Sequence, residues 1–130
     1  MLLLDTDVVI WMLRNYKPLI TKLSTIYPSE SRVLSTVTIA EIYQNILPTE
    51  FSDTEEFINQ HEIIVVSIEI AKTAGLYWNQ YHRRLKNLGI IDCIIAATAK
   101  IHQAKLITLN AKHFPMKDIA IVKPVPKLKV

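Results

Sequence analysis

Acidic residues stand directly beside strongly apolar runs at two places in this sequence. Asp5-Thr6-Asp7 follows Leu2-Leu3-Leu4, and Asp92 lies between Gly89-Ile90-Ile91 and Cys93-Ile94-Ile95. Removing an unpaired carboxylate from water is costly, and no Lys or Arg lies within five residues of Asp92 to neutralise it. A divalent cation, which prefers oxygen ligands, would stabilise both acids together.

Carboxylates grouped around such an ion suit the hydrolysis of phosphodiesters. Mg²⁺ or Mn²⁺ polarises a phosphate oxygen, lowers the pKa of a bound water and neutralises the charge that develops on the phosphate. Helix N-termini beside the ion would add partial positive charge for the same phosphate.

Each acid also has a purely structural explanation when it is taken alone. Asp7 precedes an apolar helical segment and suits an N-cap. Thr38-Ile39-Ala40-Glu41 fits a capping box, and Asp92 in a first helical turn would be favoured by the helix dipole. The chemical interpretation therefore requires that the acids meet.

Five short runs predict strands, and the segments between them predict helices. The predicted strands are 2–4, 32–36, 62–66, 105–108 and 120–122, and the helices are about 8–13, 18–27, 38–47, 68–85 and 90–103, with an amphipathic segment at 49–61. Strands that are apolar throughout are typical of parallel sheets covered on both faces. We expect one α/β domain over residues 1–130, a three-layer α/β/α sandwich with a central parallel sheet of four to five strands.

Ligands of such sheets bind beyond the carboxyl ends of the strands. Asp5 follows the first strand, and Thr108 and Asn110 follow another. Glu41 and Asp92 are predicted to lie in the first turns of helices. All of these side chains are therefore expected at one edge of the sheet.

Four segments of the chain resemble the motifs of PIN domains, particularly toxins of the VapC type. Their order and spacing are preserved over nearly the whole chain. The segments are Leu3-Leu4-Asp5-Thr6-Asp7-Val8-Val9-Ile10, Ser35-Thr36-Val37-Thr38-Ile39-Ala40-Glu41-Ile42, Asp92-Cys93-Ile94-Ile95-Ala96-Ala97-Thr98-Ala99 and Leu106-Ile107-Thr108-Leu109-Asn110-Ala111-Lys112-His113-Phe114.

The resemblance implies a PIN-like fold and an endoribonuclease that depends on Mg²⁺ or Mn²⁺. It also implies that Asp5, Glu41 and Asp92 hold the metal, and that the Thr6 hydroxyl orients water or a neighbouring carboxylate. Proteins of this type usually form homodimers. A cognate VapB-like antitoxin inhibits them by placing its tail in the acidic groove.

Two features depart from the family pattern. Asp7 stands where Asn or Ser is common, and Asn110 and His113 stand where a further acid is often found. Asn110 can still bind water or metal through its side-chain carbonyl. Asp7, Thr108 and His113 are accessory candidates, and we expect a second metal site to be weaker than the first.

Two other functions are compatible with the sequence. The opening Leu4-Asp5-Thr6-Asp7 also suits a haloacid-dehalogenase-like phosphatase with Asp5 as nucleophile, although that family needs a lysine and paired acids at a later strand. The second alternative is a non-catalytic module on the PIN fold that binds RNA or protein and keeps the acids only as helix caps.

Charge and composition suggest the partner and the compartment. The net charge is +3, and a basic segment without acids contains His82, Arg83, Arg84 and Lys86, while Lys123, Lys127 and Lys129 lie in the tail. Because His82–Lys86 precede Asp92 closely, we expect them to bind RNA phosphates. One cysteine, no signal-peptide pattern and no long apolar run predict a cytoplasmic protein without a membrane span.

Overall fold

The computed structural model describes residues 1–124, so that Lys127 and Lys129 lie outside the described residues. Five strands form one parallel sheet in the order β3-β2-β1-β4-β5. The strands are β1 (Leu2–Leu4), β2 (Arg32–Ser35), β3 (Glu62–Ile64), β4 (Lys105–Ile107) and β5 (Ala120–Val122). The predicted α/β class and the parallel central sheet are confirmed.

Six helices cover the two faces of this sheet. They are α1 (Thr6–Leu13), α2 (Lys17–Ile26), α3 (Thr36–Gln44), α4 (Phe51–Asn59), α5 (Ile68–Tyr81) and α6 (Ile90–His102), with short 3₁₀ turns at Pro48–Glu50 and Ala111–His113. None of the helices within residues 1–124 is both long and apolar enough to cross a bilayer.

The strand β1 lies at the centre of the sheet and contacts both apolar layers. Successive side chains of a strand point to opposite faces. Leu3 therefore packs with residues of α5 and α6, while Leu2 and Leu4 pack with residues of α1, α2 and α3. All three leucines are fully buried, and each contributes about 2 kcal/mol by leaving water.

Helix α3 begins two residues earlier than the sequence predicts, because Ser35 ends β2 and also caps the helix. The Ser35 hydroxyl accepts a hydrogen bond from the Val37 amide at 3.1 Å. Thr38 is consequently buried inside the helix, and Glu41 lies in its second turn rather than the first. The capping-box explanation of Thr38 and Glu41 is wrong.

Two other helix ends differ from the prediction. The N-cap of α1 is Asp5 rather than Asp7, and Asp7 lies in the first turn. Helix α5 ends at Tyr81 instead of residue 85, because the chain turns there and Leu85 and Leu88 pack against the core.

Because all strands are parallel, their carboxyl ends meet at one edge of the sheet, which we call the carboxyl edge. Asp5 directly follows β1, Ser35 ends β2 and Thr108 directly follows β4. Helix α6 ends at His102, just before β4 begins at the opposite edge. Its N-terminal turn with Asp92 is thereby directed to the carboxyl edge.

Candidate functional site

Asp5, directly after β1, is held against the neighbouring strand β4. Its backbone amide donates to the Ile107 carbonyl at 2.9 Å. Its carboxylate accepts hydrogen bonds from the Thr6 amide at 2.9 Å and from the Thr108 hydroxyl at 2.8 Å. Thr108 is fully buried, and its Oγ1 also accepts from the Asn110 amide at 3.0 Å. The orientation of the Asp5 carboxylate is therefore fixed from β4.

Thr6 connects helix α1 to helix α3 through Glu41. The Thr6 hydroxyl donates to Glu41 Oε1 at 2.5 Å. The buried Thr38 hydroxyl lies 3.4 Å from the Thr6 hydroxyl. Glu41 is thereby brought beside the end of β1, although it is distant from Asp5 in sequence. The polar role of Thr38 was missed because the sequence suggested a cap at that position.

Asp7 and Asn110 form the outer part of the cluster. Asp7 Oδ1 accepts from the Val8 amide at 2.8 Å, and the Asn110 side-chain amide donates to Asp7 Oδ2. Two of the three positions at which the sequence departs from the family pattern, Asp7 and Asn110, are therefore partners of each other.

Asp92 faces the other acids from the first turn of α6. The pKa of its carboxyl is raised by burial, which has the largest effect, and also by the charges of Glu41 and Asp7, whereas the charge of His113 lowers it. Asp92 and His113 are thus within electrostatic range of the cluster. A Cβ added to Gly89, the N-cap of α6, would lie 3.9 Å from Asp92 Oδ2.

The cluster holds more negative charge than its surroundings compensate. Burial, and next the charge of Asp7, raise the pKa of Asp5 to about 7, even though the hydrogen bonds from Thr108 and Thr6 oppose this shift. Burial likewise raises the pKa of Asp7. Within residues 1–124 the ion pairs of Lys side chains involve Glu30 and Asp118 only, and none involves Asp5, Asp7, Glu41 or Asp92.

This donor set fits a small divalent cation. In the described part of the chain, no three Asp, Glu, His or Cys side chains are arranged tightly enough to enclose a metal by themselves. Mg²⁺ does not require such a cage, because it usually keeps several waters and binds through one or two carboxylates together with substrate phosphate. Asp5, Glu41 and Asp92 are the residues that would hold it.

No ion pair within residues 1–124 joins the basic segment His82–Lys86 to this cluster. Helix α5 starts at the carboxyl edge, where the Val66 amide donates to Thr36 Oγ1 at 3.3 Å. Further along α5, the Tyr77 hydroxyl donates to Asp118 at 2.9 Å, just before β5 begins at the opposite edge. His82 and Arg83 follow the C-terminal end of α5, and their binding of RNA phosphates stays a prediction.

A cleft next to Glu41 is a further feature that the sequence did not suggest. It has a volume of about 330 Å³ and lies between α1, α3 and α4. Apolar side chains, three acids, one arginine and three uncharged polar residues line it: Ile10, Leu13, Ile42, Ile46, Glu41, Glu50, Asp53, Arg14, Asn45, Thr49 and Thr54. These residues come from separate helices, so that no local pattern marks them.

Comparisons with known proteins agree with this geometry. Residues 2–120 match the PIN domain family. The chain is 30% identical over 116 residues to "Ribonuclease VapC10" of Mycobacterium tuberculosis, an alignment that covers 89% of this chain and 87% of the relative.

Solved structures share the fold. The DNA-bound VapBC of Salmonella typhimurium superposes with a TM-score of 0.81 at 23% identity and covers 95% of this chain and 98% of that chain. A toxin-antitoxin complex from Klebsiella pneumoniae gives a TM-score of 0.74 at 23% identity and covers 96% and 98%. With the four motifs, the parallel sheet and the carboxyl-edge acids in place, the match over residues 2–120 shows that the chain belongs to the PIN domain family.

Proposed function

We propose that this protein is a divalent-metal-dependent endoribonuclease whose metal is held by Asp5, Glu41 and Asp92. The observation that supports this most is the cluster of mutually repelling carboxylates, with Asp5 buried and the other acids half-buried, in which no acid forms an ion pair with a described Lys or Arg. The name of the relative VapC10 supports RNA as the substrate.

The residues of the chain prepare the site before substrate arrives. Thr108 and the Thr6 amide fix the Asp5 carboxylate, and the Thr6 hydroxyl fixes Glu41. Oxygen atoms held in this way orient a water by accepting its hydrogen bonds and cost little reorganisation during the reaction. Bound Mg²⁺ or Mn²⁺ supplies the positive charge that neutralises the phosphate and lowers the pKa of water.

Cleavage of a panel of defined RNAs tests this proposal. We expect cleavage with Mn²⁺, none with chelator, and a loss of at least about a hundredfold in Asp5→Asn. Asp118→Asn is the matched control, because Asp118 lies at the opposite edge and pairs with Lys100. Cleavage that persists in Asp5→Asn or in chelator would refute the metal-dependent mechanism.

The phosphatase alternative is left without support by the family match. Aspartyl-phosphate chemistry at Asp5 predicts rapid turnover of phosphate monoesters without RNA cleavage, and the same RNA panel with a monoester substrate separates the two. The non-catalytic alternative predicts that no RNA of the panel is cut.

We infer that a VapB-like antitoxin is the protein partner and that it docks in the cleft beside Glu41. Three acids beside four apolar side chains suit a segment that presents a basic side chain among apolar ones. Expression of the wild-type protein is expected to arrest bacterial growth, and the antitoxin to relieve it. Ile46→Asp, inside the cleft, should prevent relief while cleavage in vitro persists. If the antitoxin still relieved the growth arrest caused by Ile46→Asp, it would have to dock on another surface.

We also propose that the protein forms a homodimer through the start of α5. Val65, Ile68 and Leu76 are large, apolar and mostly exposed, and a second copy would cover them. Sedimentation should show a dimer for the wild type and a monomer for Ile68→Asp. An unchanged sedimentation coefficient in that variant would exclude this surface.

A further inference from the structure

The C-terminal part of α5 exposes a tryptophan in a region of positive charge. Trp78 keeps 41% of its surface exposed. His82 stacks on it with the ring centroids 3.9 Å apart and the planes 2° from parallel. His82 Nδ1 lies 2.8 Å from the Trp78 carbonyl oxygen, which accepts its hydrogen bond. The pair is a flat and partly fixed aromatic surface.

The chain segment around this pair carries cations and no acid of its own. No Asp or Glu occurs in the sequence from Ile70 to Ile91. Arg83, Arg84 and Lys86 are exposed, and among the described residues none of them forms an ion pair with an acid. Arg84 lies over the Tyr81 ring, with its guanidinium carbon 5.5 Å from the centroid.

We propose that Trp78 is a stacking site for a base of single-stranded RNA, on a strand that Arg83 and Arg84 hold by its phosphates. Aromatic faces beside a basic groove are the usual means of binding single strands, because every base has a π-face. This inference rests on the proposed function, and it places a second RNA contact away from the acid cluster. Such a contact raises affinity for longer RNA without taking part in the reaction.

Charge favours RNA over a second copy of the chain at this position. A two-fold interface brings the same patch of each copy together, so that the arginines of two copies would repel each other. A polyanion is instead attracted by the exposed Arg83, Arg84 and Lys86.

The test is the binding of single-stranded oligouridine in chelator, where cleavage does not contribute. Tryptophan fluorescence of the wild type should be quenched, and Trp78→Ala should weaken binding at least about tenfold. Trp78→Phe should retain affinity within about threefold, because a stacking ring remains, and should lose the quenching. Trp78→Leu should resemble Trp78→Ala.

The control is Phe51→Ala, which removes an aromatic ring of similar exposure, 47%, beside Glu50 and Asp53. It should bind RNA as the wild type does. Wild-type affinity in Trp78→Ala, or equal affinity in the Phe and Leu variants, would overturn the stacking site. RNA cleavage with an unchanged KM in Trp78→Ala would overturn it while the proposed nuclease stands. Trp78-dependent binding without cleavage of any RNA would support the stacking site and overturn the proposed nuclease.

Discussion

The Asp5 carboxylate accepts two hydrogen bonds, yet burial beside Asp7 still raises its pKa from 3.8 to about 7. An acid with a raised pKa in the folded state binds its proton more tightly there than in the unfolded chain. The protein therefore loses stability as the pH rises through this interval. Because each pKa unit corresponds to about 1.4 kcal/mol, the loss is at most about 4 kcal/mol.

Asp5→Asn should consequently stabilise the metal-free protein. Asparagine keeps the shape and part of the hydrogen bonding, so that we expect the free energy of unfolding to increase by about 2 kcal/mol near pH 8 and by little near pH 5. Urea unfolding in chelator at the two pH values measures this. Asp118→Asn should not be stabilised at either pH, since Asp118 pairs with Lys100. Equal stability of Asp5→Asn and the wild type at both pH values would contradict the burial argument.

Thr108 tests whether the orientation of Asp5 matters. Thr108→Val keeps the volume but removes the donor to Asp5 and the acceptor for Asn110. We expect kcat to fall about tenfold to a hundredfold and the unfolding free energy to fall by about 1–2 kcal/mol. Thr108→Ser keeps the hydroxyl and should recover most of the activity. A Thr108→Val variant with wild-type kcat would show that Asp5 needs no support from β4.

Among the elements, the strands were predictable and the starts of two helices were not. Apolar runs locate β1 to β5 because the sheet is covered on both faces, although β2 and β4 end one residue and β3 two residues earlier than predicted. Ser35 belongs to a strand by pattern and caps a helix by its hydroxyl, and only the fold decides which residue begins α3. The acids at the carboxyl edge were predictable from parallel topology alone.

The role of the basic segment stays a prediction. His82 precedes Asp92 by ten residues, and no ion pair in the described part of the chain joins the segment to the acids. The cleft beside Glu41 was missed because three helices that are separate in sequence form it. Contacts between elements depend on the direction of each helix, which a local pattern does not contain.

The end of α5 gives a prediction for salt dependence. If Arg83 and Arg84 bind phosphates, the double change Arg83→Gln with Arg84→Gln should reduce the slope of log affinity against log salt by about 1.4, because each single-strand contact contributes about 0.7. Lys17→Gln with Lys22→Gln on α2 removes the same charge from another surface and should leave the slope unchanged. Equal slopes for both double variants would exclude Arg83 and Arg84 as phosphate contacts.

At the scale of the whole molecule, no ion pair among the described residues 1–124 joins the acids of the carboxyl edge to the arginines that follow α5. The carboxyl edge contains Asp5, Asp7, Glu41 and Asp92, while Arg83 and Arg84 follow α5. RNA is repelled by the acids until a cation neutralises them, whereas the basic region attracts it over a longer distance. Affinity for RNA without metal and cleavage with metal are therefore expected to be separable properties.

Binding of a cation to the acid cluster should also change the stability of the fold. A cation that binds the folded cluster and not the unfolded chain stabilises the fold by mass action, by about 2.7 kcal/mol when its concentration is a hundred times its Kd. For a chain of this size, Mn²⁺ should then raise Tm by about 10 °C relative to chelator. Calorimetry with Mn²⁺ and with chelator measures the shift, and a titration should show one tight ion.

The double variant Asp5→Asn with Asp92→Asn decides what causes that shift. It lacks two of the three proposed ligands, so that its Tm should be the same with and without Mn²⁺, while in chelator it should melt above the wild type because the repulsion between the acids is relieved. If the acids served only as helix caps, the wild type would show no Mn²⁺ shift, and the metal-free double variant would melt at the wild-type temperature, because asparagine caps a helix as well as aspartate does. The two explanations thus differ in whether the metal-free double variant melts above the wild type or together with it.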